Sequence, residues 1–271
     1  MAHTWCPESR GTLTVHTVSQ TALNAQLAQD IAQRLDAAIQ VRGFAVLSVS
    51  GGQSPIPLFQ ALRLMDIDWS RVRVTLVDER CVPRTHSSSN ALLVQTHLLQ
   101  DRAAQAQLVF MVADTHASLS SPAAQAKAAG IALTAAGTAD VLVLGMGADG
   151  HTASLFPEAP NLGDALDLRN AQACVAIELE TPPANAPYPR ITQTLAQILS
   201  ARHIVLPLTG TDKLNTLQRA WPQASSAKPI SIPSKPISLP TLPISLVLQQ
   251  TQTPVALWLA SEALSTHTRP S

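Results

Sequence analysis

Val141-Leu142-Val143-Leu144 is apolar without alternation and rich in β-branched residues. Such a strand has no wet face, so it belongs in a sheet covered on both sides, which means a parallel sheet between helices. The chain leaves it through Gly145-Met146-Gly147-Ala148-Asp149-Gly150-His151-Thr152-Ala153-Ser154-Leu155-Phe156-Pro157. Glycines at 145, 147 and 150 permit a sharp turn and a close approach of backbone to ligand. The turn delivers a carboxylate, Asp149, and an imidazole, His151, to a strand's carboxyl end, where open α/β sheets bind ligands. An imidazole there can take a proton from water near neutral pH. Taken alone, the segment fits an ordinary tight turn with a surface histidine equally well.

The same alternation runs along the chain. Short apolar runs predict strands over 44–49, 72–77, 107–112, 141–144, 173–177, 203–208 and 255–259. Between them, helical spacing of apolar residues predicts helices over 20–41, 55–64, 88–99, 123–136, 192–200 and 211–219, with a short terminal helix after the last strand. Ser54 reads as the N-cap of the second helix, with Pro55 at its first position. Strands alternating with helices give an α/β fold: a doubly wound, mostly parallel sheet with helices on both faces, in one domain over 1–271.

One stretch breaks the pattern. Lys228-Pro229-Ile230-Ser231-Ile232-Pro233-Ser234 is followed by Lys235-Pro236-Ile237-Ser238-Leu239-Pro240-Thr241 and then Leu242-Pro243-Ile244-Ser245-Leu246, a seven-residue repeat. Its prolines argue against regular helix. The segment over about 226–245 is expected to be an extended, solvent-exposed insertion that the active site does not need.

Composition bounds the function. Lys and Arg number 18, Asp and Glu also 18, so the formal net charge is zero and no nucleic-acid partner is expected. No apolar run reaches membrane-spanning length, and residues 1–11 carry no apolar stretch of signal-peptide length. The three cysteines, Cys6, Cys81 and Cys174, form neither a CxxC pair nor a metal spacing. A cytoplasmic protein without membrane contact is expected, with a monomer as the default state.

Three further constellations stand out. Ser50-Gly51-Gly52-Gln53-Ser54-Pro55 lies between a strand and a helix, and its amides could nest a phosphate; an ordinary capped turn reads equally well. Asp78-Glu79-Arg80 follows the second strand, with His86 and Ser89-Asn90 beyond. It could position a polyhydroxylated ligand or form a salt-bridged loop. Arg190 and Lys213 sit in loops leading into helices, at the edge where such sheets bind ligands, and could hold a phosphate or be solvated surface charges.

Together these segments resemble the family of 6-phosphogluconolactonases and glucosamine-6-phosphate isomerases/deaminases. The pieces are Ser50-Gly51-Gly52-x-Ser54-Pro55, Asp78-Glu79-Arg80-x-Val82-Pro83-x-x-His86-x-x-Ser89-Asn90, the Gly145–Pro157 turn, Pro189-Arg190-Ile191-Thr192 and Gly210-x-x-Lys213. They fall in the family's order. The Thr152-Ala153-Ser154-Leu155-Phe156-Pro157 tail resembles the lactonase branch; the deaminase branch differs there and supplies a further carboxylate. The resemblance implies hydrolysis of 6-phospho-D-glucono-1,5-lactone to 6-phospho-D-gluconate, in the oxidative branch of the pentose phosphate pathway. It implies a small-molecule sugar-phosphate lactone as the partner and neither cofactor nor metal. His151 is implied as the base that activates water, with Asp149 beside it and Arg80 near the lactone. Gly51, Gly52, Ser54, Arg190 and Lys213 are implied at the phosphate, and Asp78 among the substrate-binding residues. The chain departs from the family's pattern at Gln53, where a small hydroxyl residue is usual, at Ala260, where an acid is common, and at the proline repeat. Two alternatives remain: an isomerase or deaminase acting on an amino-sugar phosphate with Asp78 as proton shuttle, and a non-catalytic sugar-phosphate sensor.

Overall fold

The computed structural model describes residues 7–112, 121–181, 187–221 and 242–265. The first half of the chain runs β1 (Leu13–Val18), α1 (Gln20–Arg42), β2 (Ala45–Val49), α2 (Ile56–Leu62), β3 (Val72–Leu76), β4 (Asp78–Arg80), α3 (Asn90–His97), β5 (Gln107–Leu108) and α4 (Pro122–Ala136). The second half runs β6 (Val141–Val143), α5 (Leu162–Leu166), β7 (Cys174–Ile177), β8 (Arg190–Gln193), α6 (Leu195–Leu199), β9 (Ile204–Leu208), α7 (Thr211–Ala220), α8 (Pro243–Gln249), β10 (Val255–Ala260) and α9 (Ser261–Ser265).

Seven strands form one sheet in the order β1-β10-β9-β6-β2-β3-β5, and every pairing in it is parallel. This is the α/β sheet that the apolar runs predict. Its central strands are buried on both faces, and their alternate residues feed two separate cores. Val46, Leu142, Leu206 and Leu257 join the cluster that includes Leu214 and Leu217 of α7. Leu47, Val143, Val205 and Trp258 join the cluster that includes Leu27, Ile31 and Leu35 of α1. The period of two along a strand thus becomes a sandwich of helix, sheet and helix. Helix α1 ends where Gly43 turns left-handed at φ 80°, its N–H bonding to the Ile39 carbonyl.

The strand order contains one reversal. From β2 the chain passes to β3 and β5 on one side; from β6 it passes to β9 and β10 on the other. β2 and β6 are neighbours, with Val49 beside Val143. The loops leaving their carboxyl ends therefore diverge and open a crevice.

A second, three-stranded antiparallel sheet, β4-β8-β7, departs from the expected pattern. Residues 173–177 belong to it rather than to the parallel sheet, and Asp78–Arg80 is a strand rather than a loop. Arg190 is the first residue of β8, not part of a loop leading into a helix. The helix predicted over 192–200 is only Leu195–Leu199, with the Thr194 side chain accepting from the Gln197 amide. Gln193 ties the small sheet to the large one: its Nε2 donates to Ser48 Oγ at 3.0 Å and to the Leu76 carbonyl at 2.9 Å. The strand predicted over 107–112 shrinks to Gln107–Leu108 at the sheet's edge. Ser54 is not a cap: α2 starts at Ile56, Pro55 occupies the N-cap, and no side chain caps it.

Residues 226–241 of the proline-rich insertion lie outside the described residues. Its last unit does not fit the expectation of an exposed, extended segment. Pro243 opens α8, and Ile244, Ser245 and Leu246 are buried. A proline at the first helical position loses no hydrogen bond, because that N–H has no partner in any helix. Ile244 is fully buried in the core cluster that also holds residues of α7, β9 and β10. Ile244→Ala should therefore destabilise the fold by about 2–5 kcal/mol. Urea unfolding would check this, and a change within about 0.5 kcal/mol would place the unit among ordinary surface sites.

Candidate active site

The crevice at the strand reversal is bounded by the two glycine-bearing loops. Ser50 joins them: its N–H bonds to the Val143 carbonyl at 3.0 Å and its Oγ accepts from the Gly145 amide at 3.3 Å. At Gly51 a Cβ would lie 1.9 Å from Asn90 Oδ1, so only glycine admits the close approach of α3. Gly52 is left-handed at φ 87°. Free of any capping role, the Ser54 hydroxyl sits 3.3 Å from Lys213 Nζ, in the first turn of α7. Burial lowers the Lys213 pKa from the usual lysine value.

The small sheet supplies the opposite wall. β4 and β8 pair with Asp78 opposite Thr192 and Arg80 opposite Arg190. Because strand side chains alternate, Asp78, Arg80, Arg190 and Thr192 share one face, and Glu79 is sent to the other. There its carboxylate receives four donors: the amides of Asn90 and Arg80 at 2.7 Å, the Ala91 amide at 2.8 Å and the Ser89 hydroxyl at 3.0 Å. Burial raises the Glu79 pKa, although these bonds pull it back. Arg80 Nη1 donates to the Ser88 carbonyl and to Asn90 Oδ1. Ser154 Oγ donates to Asp78 Oδ2 at 2.5 Å, and Asn90 Nδ2 donates to the Asp78 carbonyl at 2.8 Å. Among the described residues neither Arg80 nor Arg190 forms an ion pair, and the buried Nε of each lacks a hydrogen-bond partner. Two unpaired guanidiniums side by side are suited to an anion.

The third wall is the turn after β6. Gly147 N–H bonds to the His151 carbonyl at 2.9 Å, and Gly150, left-handed at φ 81°, bonds to the Gly147 carbonyl at 3.1 Å. Thr152 Oγ1 holds the Gly145 carbonyl at 2.7 Å. Asp149 Oδ1 meets His151 Nδ1 at 2.6 Å and accepts from the His151 amide at 3.1 Å. Partial burial raises the Asp149 pKa, but the bonds and charge of His151 outweigh it and hold the carboxyl below its usual value. An ionised Asp149 is an acceptor, so Nδ1 is the nitrogen that carries a proton towards it, and Nε2 is left without a partner among the described residues. Phe156 braces the site, its ring centroid 4.5 Å from the His151 ring and 5.1 Å from the Arg190 guanidinium.

These walls enclose a cavity of about 190 Å³. That is below the ~300–1,000 Å³ of clefts for drug-sized ligands and suits one small, polar molecule. Gly51, Gly52, Ser54, Asp78, Arg80, His151, Arg190 and Lys213 all line it. Asp149 does not; it reaches the cavity through His151. His86 stays outside, its Nδ1 accepting from the Ser88 amide and its ring edge-on to Tyr188. Gln53 is exposed and off the cavity wall, so the departure at that position leaves the lining unchanged. Asn90, part of the Asp78–Asn90 constellation, lines the cavity, and so does Asn24, which that reading does not name. For Asn24 the signal was a polar residue beside the buried stripe Leu23 and Leu27 of α1. Among the described residues no cluster of three His, Cys, Asp or Glu side chains could hold a metal.

Two arginines, a lysine and an imidazole thus gather at the reversal point of a parallel sheet, where α/β enzymes bind their ligands. Residues 18–253 match the family of glucosamine-6-phosphate isomerases/6-phosphogluconolactonase, and the chain belongs to that family. A relative named 6-phosphogluconolactonase from Pseudomonas putida is 43% identical over 207 residues, covering 76% of this chain and 82% of that protein. One of the same name from Neisseria meningitidis is 40% identical over 220 residues, covering 80% and 92%. The crystal structure of a 6-phosphogluconolactonase from Shewanella baltica is 38% identical and superposes with a TM-score of 0.77, over 91% of this chain and 97% of that one. The fold extends further: a monomeric glucosamine-6-phosphate deaminase, 16% identical, superposes with a TM-score of 0.66.

The contact between Gly51 and Asn90 yields a stability test. Gly51→Ala overlaps Asn90 and should destabilise by about 1–3 kcal/mol. Adding Asn90→Ala removes the overlapping atoms, so a double-mutant cycle should show coupling of at least about 0.5 kcal/mol. Strict additivity in urea unfolding would contradict the close approach.

Proposed function

We propose that this chain hydrolyses 6-phospho-D-glucono-1,5-lactone to 6-phospho-D-gluconate, with His151 as general base. The observation that carries the reading is the Asp149–His151 contact, which leaves His151 Nε2 without a partner among the described residues, in a cavity shared with Ser54, Arg190 and Lys213. The names of the relatives support the substrate.

A δ-lactone is a reactive ester. Its hydrolysis needs an oriented substrate, a base for water and a positive charge for the oxyanion. The glycine loop, Ser54, Lys213 and Arg190 take the phosphate. Asp78, held by Ser154, offers an acceptor for a sugar hydroxyl. His151 Nε2 draws a proton from water as its oxygen attacks the lactone carbonyl carbon. Arg80 stabilises the oxyanion that forms. Collapse breaks the bond to the ring oxygen, which takes the proton back from the imidazolium; the new carboxylic acid then ionises. Asp149 keeps the ring in the required tautomer and stabilises its charged form. An isomerase would instead ask Asp78 to shuttle a proton, but its Oδ2 is engaged by Ser154 while Nε2 of His151 has no partner among the described residues.

A lactone hydrolysis assay corrected for the spontaneous reaction tests this. His151→Ala should lower turnover by about 100-fold or more, with a smaller effect on substrate binding. Near wild-type turnover in that variant would remove His151 from the base role.

Arg190→Ala and Lys213→Ala should each weaken binding of the product 6-phosphogluconate by about 1.5–3 kcal/mol, the loss of a charged hydrogen bond. The pH dependence follows from the lowered Lys213 pKa. The lysine binds phosphate only when protonated, and it sheds its proton at a lower pH than an ordinary lysine. Product inhibition should therefore weaken as pH rises, beginning below the usual lysine range, and Lys213→Ala should abolish that limb. An inhibition constant flat across that range in the wild type would count against Lys213 as a phosphate ligand.

A further inference from the structure

The turn that carries His151 is weakly determined by its own sequence. It contains three glycines, and Ala148 and Asp149 are exposed. Its position relative to the anion site must come from outside. Two ties do this. On one side, Ile244 N–H at the start of α8 bonds to the Gly150 carbonyl at 3.1 Å, and Leu242 packs where a Cβ on Gly150 would sit 2.9 Å away. On the other, Thr216 Oγ1 donates to the Ala148 carbonyl at 2.7 Å, and Arg219 Nη2 reaches the same oxygen at 3.2 Å.

The second tie has a direction. The Ala148 carbonyl belongs to the peptide from which Asp149 departs, so holding that oxygen fixes the plane from which the Asp149 carboxylate projects. Asp149 in turn sets the His151 ring through Nδ1. Thr216 is buried in α7, one turn beyond Lys213 on the same face of that helix. One rigid helix thus holds the phosphate-side cation with its first turn and the base-bearing turn with its second. We infer that Thr216 is a positioning residue: its hydroxyl fixes the distance between the anion site and the His151 base. The inference rests on the base role proposed for His151.

The test uses the full chain and four variants in the lactone assay. Thr216→Val keeps the shape of the side chain and removes the donor. It should lower kcat about 3–10-fold, the scale of one lost hydrogen bond, with KM for the lactone unchanged because Lys213 stays in place. Thr216→Ser keeps the hydroxyl and should restore kcat. Arg219→Met, on the exposed side of α7, removes the second donor without touching the core and should lower kcat about 2-fold. His151→Ala, run alongside, separates the two levels of the argument. If it keeps wild-type turnover, the base reading falls and this inference falls with it. If it is inactive while Thr216→Val and Arg219→Met both turn over at the wild-type rate, the base reading stands and Thr216 has no positioning role. A Thr216→Val enzyme that loses affinity for 6-phosphogluconate as much as it loses kcat would also overturn the inference, because the hydroxyl would then serve only the integrity of α7. Should Thr216→Val fold poorly, Arg219→Met with its kcat and KM decides the question.

Discussion

β2 and β6 lie side by side as parallel strands, and the chain leaves them in opposite directions. No connection can close over both carboxyl ends, so a crevice must remain. The candidate site residues are arranged around that gap. The glycine loop comes from β2 and the His151-bearing turn from β6, and the Ser50 hydroxyl clasps one to the other. α7, which follows the neighbouring β9, brings its lysine to the same edge. The site is thus a by-product of strand order, and its precision comes from the hydrogen bonds added around it.

The arginine wall depends on a buried carboxylate. Moving Glu79 out of water is unfavourable, and it is tolerated because four donors converge on its two oxygens. Three of those donors belong to the start of α3. Glu79 therefore fixes α3 to β4, and α3 delivers Asn90 to both Arg80 and Asp78. A side chain that never enters the cavity sets the geometry of three that do.

The long elements were legible in the sequence because their signals are redundant. The buried stripe of α1 repeats over six turns, and β2, β6, β9 and β10 are apolar on both faces. What escaped was short or amphipathic. β1, with Thr14, His16 and Thr17 among its six residues, is an edge strand whose partner β10 lies at the far end of the chain. β4 and β8 have charged or polar residues at most positions, so their strand character comes from pairing, β4 with β8 and β8 with both β4 and β7. The residues of the site were legible in kind, since glycine loops, an imidazole and stray cations announce anion chemistry. Their mutual placement was not. Nothing local says that Arg190 stands opposite Arg80, that Ser54 leaves its cap position to meet Lys213, or that Phe156 supports both His151 and Arg190. Pro243 shows the converse error: a residue that breaks a helix from within begins one without cost.

The pairing of Arg80 with Arg190 has a consequence for the energetics of the whole molecule. Like charges directly opposite each other across two strands destabilise a sheet; burial lowers the Arg190 pKa, Asp78 opposes this, and the charge of Arg80 lowers it further. The fold retains this repulsion where a pair of neutral side chains would be more comfortable. A ligand with negative charge at both guanidiniums, as the proposed reaction supplies, would offset that repulsion. Binding and folding would then be linked through this one cross-strand pair. Selection for stability alone at these two positions would then work against ligand affinity.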